Sequence, residues 1–262
     1  MALFSFLKKP ATKVPETRSA LLGMVLLAEN HTLDIEAVIV KLENKWALKI
    51  GSKAIGEETS VLQIDGYQVA IASMPMPIPG EEIKDTAAHN YFWGNGVEEA
   101  TKHTGHFILS IMNAGKNPIQ ENLLFNQVAS SILEHSQSLG IYIGSRTLLL
   151  PKDFYLANTE GMSAQHLPLY NWIYFGIRSE NGRHSIYTYG LRDFGKEEME
   201  IIDSEKQLEE LREMIFNLAH YVLAYQVILK DGETIGISAT QKLKITASTG
   251  RFLEGNTLII AY

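Results

Sequence analysis

The stretch NWIYFGIRSENGRHSIYTYGLRDFGKEEMEII, residues 171–202, decides the fold. Residues 171–178 and 184–191 are rich in aromatic and β-branched side chains, which suit a pleated, half-buried surface. Between them lies Ser179-Glu180-Asn181-Gly182-Arg183, and Asn-Gly readily takes the positive φ angles of a tight hairpin. Gly190 and Gly195 bracket a turn, Leu191-Arg192-Asp193-Phe194. Beyond it, Glu198-Met199-Glu200-Ile201 alternates polar and apolar. That period predicts a third strand with Met199 and Ile201 toward a core and both carboxylates toward water.

A long helix is predicted next. Ser204 reads as its N-cap, with Gln207 three residues on in a capping box. Leu208, Leu211, Ile215, Leu218, Val222 and Tyr225 recur at three- and four-residue steps and share one face. A hairpin, a third strand and an amphipathic helix supply a sheet and the cover for one of its faces.

The run Tyr187-Thr188-Tyr189-Gly190-Leu191, then Phe194-Gly195 and Glu198-Met199-Glu200-Ile201, resembles the C-terminal signature of an uncharacterised bacterial family, domain of unknown function 4261. Met74-Pro75-Met76-Pro77-Ile78-Pro79, His103-Thr104-Gly105-His106 and Asp231-Gly232-Glu233-Thr234-Ile235-Gly236 are similar to it as well. By their order along the chain the resemblance covers roughly residues 20 to 262. It implies no activity. It implies a bacterial source and, through some relatives, toxin–immunity neighbourhoods.

Composition narrows the classes. With 262 residues, 45% of them hydrophobic and 20% charged, the chain can build one large domain or two modest ones without staples. A net charge of −7 argues against a general nucleic-acid binder, which carries a basic surface. The absence of cysteine removes disulfides, thiolate chemistry and cysteine-ligated metals, and it fits a reducing cytoplasm. No run approaches the eighteen or so apolar residues of a membrane span. Residues 1–17 are expected to form a disordered leader: their apolar part is short and their lysines follow it, unlike a signal peptide.

Upstream, residues 20–29 form an apolar run expected to be a buried strand. Thr32 or Asp34 can cap a helix with Ile35, Val38, Ile39, Leu42 and Trp46 on one face. Residues 51–59 read as a polar connection, and Asp65-Gly66 as a hairpin turn between 61–64 and 67–73. Residues 74–80 carry a proline at every second position of 75–79, so they form an extended edge or loop. Two short helices are expected over 81–103, broken at Gly94-Asn95-Gly96 beside Trp93. A strand over 106–112 precedes a helix over 119–135, capped by Asn117 with Pro118 in first position. Strands are expected at 139–143, 147–150, 227–229, 234–237, 243–247 and 258–262.

The fold class is therefore α+β, with two sheet-and-helix lobes. The first, residues 18–150, is expected to be ferredoxin-like, a split βαβ core with an extra helix–strand unit. Residues 151–168, the least regular stretch, are the expected linker. The second lobe, residues 169–262, is expected to be mainly antiparallel sheet under one long helix.

Signatures of catalysis are missing. There is no GxxxxGK followed by Ser or Thr, no complete GxGxxG, no HExxH, no GxSxG and no EF-hand loop. His103 and His106, with Glu98 and Glu99 nearby, carry the one metal-like pattern. Gly105 between them is expected to end a helix in left-handed geometry, which places His103 in a last turn favoured by the helix dipole and outweighs the metal reading. Trp93, Trp172, Tyr174, Tyr187 and Tyr189 can line a pocket or a partner surface, but in strands they more often form cross-strand pairs. The candidate binding residues are Trp93, His103, His106, Trp172, Tyr187 and Tyr189, with no catalytic residue, no metal ligand and no cofactor expected. The expected function is a non-catalytic interaction protein of the bacterial cytoplasm, immunity- or adaptor-like, whose partner is another protein. The alternative is a metal-assisted hydrolase or small-ligand-binding protein using the His103/His106 region.

Overall fold

The computed structural model describes residues 20–236 and 242–262. The expected leader, residues 1–17, and Ile237, the last residue of an expected strand, lie outside the described residues.

The chain is α+β and builds two sheets. The first has seven antiparallel strands, β1 (Leu21–Leu27), β2 (Ile50–Ile55), β3 (Thr59–Ile64), β4 (Tyr67–Met74), β5 (Gly105–Ile111), β6 (Ser138–Ile143) and β7 (Leu148–Pro151), in the order β2-β3-β4-β5-β1-β6-β7. Strand β1 sits near the centre, apolar on both faces. Leu21, Val25 and Leu27 enter a core beneath α1 (Ile35–Trp46) and α4 (Pro118–Glu134), while Leu26 points to the opposite face.

Local chemistry fixes these helices. Asp34 accepts from the Ala37 amide at 3.0 Å and starts α1. Asn117 does the same for Gln120 at 3.3 Å, with Pro118 leading α4. Asp65 and Gly66 both take positive φ, 47° and 84°, and close the β3–β4 hairpin. Residues 51–55, expected to be a connection, belong to β2. As an edge strand it pairs only with β3 and leaves Lys53 and its neighbours in water, so its polar sequence hides the strand.

On the opposite face lie α2 (Glu82–Ala88), α3 (Gly96–Ala100) and the proline loop 75–80, whose Ile78 packs with Leu26, Ile83, Trp93, Tyr142 and Leu149. The stretch 151–168, expected to be irregular, contains α5 (Lys152–Thr159), whose Tyr155 is fully buried in the first core. Asn158, read as a loop former, sits inside that helix and spends its side chain on the Phe154 carbonyl.

After α6 (Leu169–Trp172) the second sheet follows. Its strands are β8 (Tyr174–Glu180), β9 (Arg183–Tyr189), β10 (Met199–Ser204), β11 (Thr234–Gly236), β12 (Lys242–Thr249) and β13 (Asn256–Ile260), in the order β11-β12-β13-β10-β9-β8. Only β10 and β13 pair in parallel among the described strands. Helix α7 (Leu208–Ala224) covers one face with Leu211, Ile215, Leu218 and Val222 against Phe175, Ile186 and Ile201.

Three expectations here are corrected. Ser204 does not cap α7. It ends β10, donates to the Tyr262 carbonyl and accepts from Lys206, and Gln207 precedes the helix without a side-chain cap. Tyr225 lies beyond the last helical turn and is 72% exposed. Residues 227–229 form no strand.

Candidate functional site

Glu198 and Glu200 were expected in water, and both are fully buried. Alternation assigned them to the face away from α7, but around β10 that face is covered by the 191–194 turn and the 250–255 loop. Glu198 accepts from the amides of Gly190 (2.8 Å) and Arg192 (3.2 Å) and from the Thr188 hydroxyl (2.8 Å). Glu200 accepts from the amides of Arg251 (3.1 Å) and Phe252 (2.9 Å) and from the Thr257 hydroxyl (2.8 Å). Each carboxylate thus fastens one loop to β10. Burial pushes the Glu198 carboxyl up, against the pull of its donors. Gly190 takes φ 125° beside it, a conformation open to glycine, which lets the chain turn back toward the carboxylate.

His103 and His106 serve the proline loop. His103 is buried after α3, its Nε2 accepting from the Ile78 amide at 2.8 Å and its Nδ1 2.7 Å from the Ala100 carbonyl. One nitrogen accepts and the other donates, so both are engaged and the neutral tautomer is set. His106, on β5, places Nδ1 3.0 Å from the Met76 carbonyl. Burial holds its pKa below the ordinary histidine range. Gly105 is not left-handed, contrary to expectation. It opens β5, and a Cβ there would lie 1.9 Å from Asn30 Oδ1 and 2.8 Å from the Met74 carbonyl. Close approach, rather than a helix end, requires glycine here. Among the described residues no three His, Asp or Glu side chains converge on a metal position.

Trp93 and Trp172 are both buried, in different cores. The Trp93 indole donates to Glu99 at 2.6 Å, and that of Trp172 to Asn126 at 2.9 Å. Arg146, in the turn between β6 and β7, is also buried. Its guanidinium reaches Asp193 and Asn122 and lies over the Phe194 ring. Nothing in the local sequence marks this arginine as buried, since Gly144-Ser145-Arg146 reads as an exposed turn.

The open site is a cleft of about 730 Å³ where the two sheets meet. One wall is the end of α2 and the loop after it, with Asp85, His89 and Tyr91; the other is β8 and β9, with Tyr174, Ile177, Arg178 and Tyr187. Tyrosine hydroxyls tie the walls together: Tyr91 donates to the Phe175 carbonyl at 2.7 Å, and Tyr174 to the His89 carbonyl at 3.1 Å. Burial raises the pKa of Tyr91, Tyr174 and Tyr187, so the phenols stay neutral donors. The Tyr187 ring lies on Gly176, where a Cβ would come within 2.0 Å of it, and stacks on Phe252 at 5.5 Å. Of the residues singled out from sequence, Tyr174 and Tyr187 line this cleft. Tyr189 is half-buried outside its lining, and Trp93, Trp172, His103 and His106 lie elsewhere. Arg178 and the 85–91 loop were missed. The exposed arginine among apolar strand residues was the one available signal.

No helix among the described residues is long and apolar enough to cross a membrane. No curated protein and no solved structure matches the chain. Over residues 187–261, from within β9 to just past β13, the chain matches the model of the family Domain of unknown function (DUF4261).

Proposed function

We propose that the protein is a non-catalytic interaction protein of the bacterial cytoplasm, immunity- or adaptor-like, that holds a protein partner at the cleft between its sheets. The observation that carries this reading is the Arg178 side chain. It is exposed at the cleft, beside neutral tyrosines, with no ion pair among the described residues. Arginine and tyrosine are the side chains that most often anchor a protein interface. The buried polar groups support it from the other side. Glu198, Glu200 and His103 are each committed to holding a loop, which leaves none of them free for proton transfer or for a metal.

The lobe organisation belongs to the same proposal: residues 18–150 and 169–262 as two lobes joined through 151–168, the first ferredoxin-like. Its support is the order β4-β5-β1-β6, in which α1 and α4 provide the two crossovers.

Affinity capture from a bacterial cytoplasm, run in parallel with the wild-type chain and Arg178→Glu, tests the function. A partner held by the wild type and lost by the variant is expected. Stoichiometric zinc, manganese or iron in the purified protein, lost with His103→Ala, would replace this reading with the hydrolase.

A further inference from the structure

Strand β8 is the outer edge of the second sheet. Its hairpin loop has two residues, Asn181 and Gly182, with φ of 52° and 75°, so Glu180 and Arg183 form the closing hydrogen-bonded pair. Counting back along the register, residues 178, 176 and 174 bond to β9, while Phe175, Ile177 and Ser179 turn their N–H and C=O outward. The Phe175 carbonyl shows this parity, because the Tyr91 hydroxyl meets it from outside the sheet. Ile177 and Ser179 have no such cover among the described residues. Their outward groups repeat at two residue rises, roughly 6.8 Å, the spacing an extended chain presents.

Proteins blunt exposed edges, and here Tyr91 covers one residue and leaves the next two outward positions open, Ile177 in the lining of the cleft and Ser179 just beyond it. The walls carry opposite charges: Arg178 on the strand and Asp85 across from it, neither in an ion pair among the described residues. We infer that the β8 edge binds an extended peptide segment of a protein partner by strand addition, with an acidic side chain against Arg178 and a basic one toward Asp85. This rests on the interaction-protein reading and gives its partner a conformation and a charge pattern. Main-chain bonds to Ile177 and Ser179 supply affinity, and the two charges fix the register.

The test is selection of a display library of linear seven-residue peptides on the full chain. Anisotropy titrations of the selected peptides against wild type, Ser179→Pro and Arg178→Glu follow. Proline at residue 179 removes an outward donor and leaves the ladder to β9 intact. Selected peptides are expected to alternate β-branched and charged residues and to include an acid. Ser179→Pro should weaken them roughly tenfold, the value of one main-chain bond in a desolvated interface. Arg178→Glu should turn the preference toward basic peptides, and it carries the test if circular dichroism shows the proline variant unfolded. The amides of Ile177 and Ser179 should exchange more slowly in the complex. Failure to select any peptide, or binding indifferent to both variants, overturns strand addition at β8. A captured cytoplasmic partner lost with Arg178→Glu but kept by Ser179→Pro overturns the edge proposal alone, and one that survives both variants overturns the cleft as the docking place as well. Absence of any partner overturns the function proposed above.

Discussion

Arg146 and Asp193 form a buried ion pair between the two sheets, Nε to Oδ2 at 2.7 Å, one from the β6–β7 turn and the other from the turn before β10. Arg146 is 2% exposed and also donates to Asn122 at 2.7 Å. A charge this deep is stable only with its partners in place. Arg146→Met should therefore destabilise the chain by about 3–5 kcal/mol, because Asp193 and Asn122 lose their donor. The double variant Arg146→Met/Asp193→Asn should cost less than the sum of its parts, by at least 1 kcal/mol or so. Urea titration of the four chains checks this. Because the pair joins the sheets, one calorimetric transition is expected in the wild type; two would show that the lobes unfold independently.

Glu198 gives a pH signature. Its folded-state pKa is raised by burial, so the folded chain binds a proton that the unfolded chain releases in the window above the ordinary carboxylate range. Stability from this group is then greatest at acid pH and falls as pH climbs through the raised value. Glu198→Gln should remove that decline, seen as a flatter melting temperature between weakly acid and neutral pH. Glu198→Ala should instead cost about 1–3 kcal/mol for each buried donor it strands, with the amides of Gly190 and Arg192 foremost.

What the sequence made legible was period and punctuation. Asn181-Gly182, Asp65-Gly66, Asn117-Pro118 and the α7 stripe from Leu211 to Val222 all act locally, within one turn or one face, and each stands where its chemistry placed it. The misreadings share a different cause. The Glu198/Glu200 period told which face the carboxylates share, but whether that face is wet depends on the loop at 250–255, more than fifty residues on. Ser204 had the composition of a cap and was taken by the Tyr262 carbonyl at the far end of the chain. The cleft belongs to this second kind. Arg178 and Asp85 line one cleft only because β8 and α2 come together in the fold, and no spacing in the sequence records that.

His106 should respond to acid, and neither His103 nor His106 should respond to metal. His106 has a pKa lowered first by burial, so the folded chain favours the neutral ring. Its contribution is present above the ordinary histidine range and is lost as pH falls through the depressed value. Limited proteolysis should accordingly show faster cutting in residues 75–80 on mild acidification, and His106→Gln should blunt the change. His103→Ala should open the same loop at every pH, since the buried Ile78 amide loses its acceptor at a cost of about 1–3 kcal/mol. Added zinc should change neither cutting pattern. Protection of the loop by zinc would show that the ring nitrogens exchange their backbone partners for a metal.

Leu218 tests the packing of α7. It is 4% exposed within the second core, in one cluster with Phe175, Ile186 and Ile201 of the sheet. Leu218→Ala removes buried methyls and leaves a cavity, for a loss of about 2–5 kcal/mol. That is a large share of the 5–15 kcal/mol or so that holds a typical domain. Glu209→Ala and Glu213→Ala, on the exposed side of the same helix, should stay within about 0.5 kcal/mol of wild type. Urea midpoints of the three variants, read by far-ultraviolet dichroism and tryptophan fluorescence, make the comparison. Trp172 packs in the same cluster as Leu218, so the fluorescence change should follow the dichroism. If Leu218→Ala matched the two glutamate variants, α7 would not be the main apolar cover of the second sheet. Its stripe would then be a docking face, and the partner surface would have to be sought there instead of at β8.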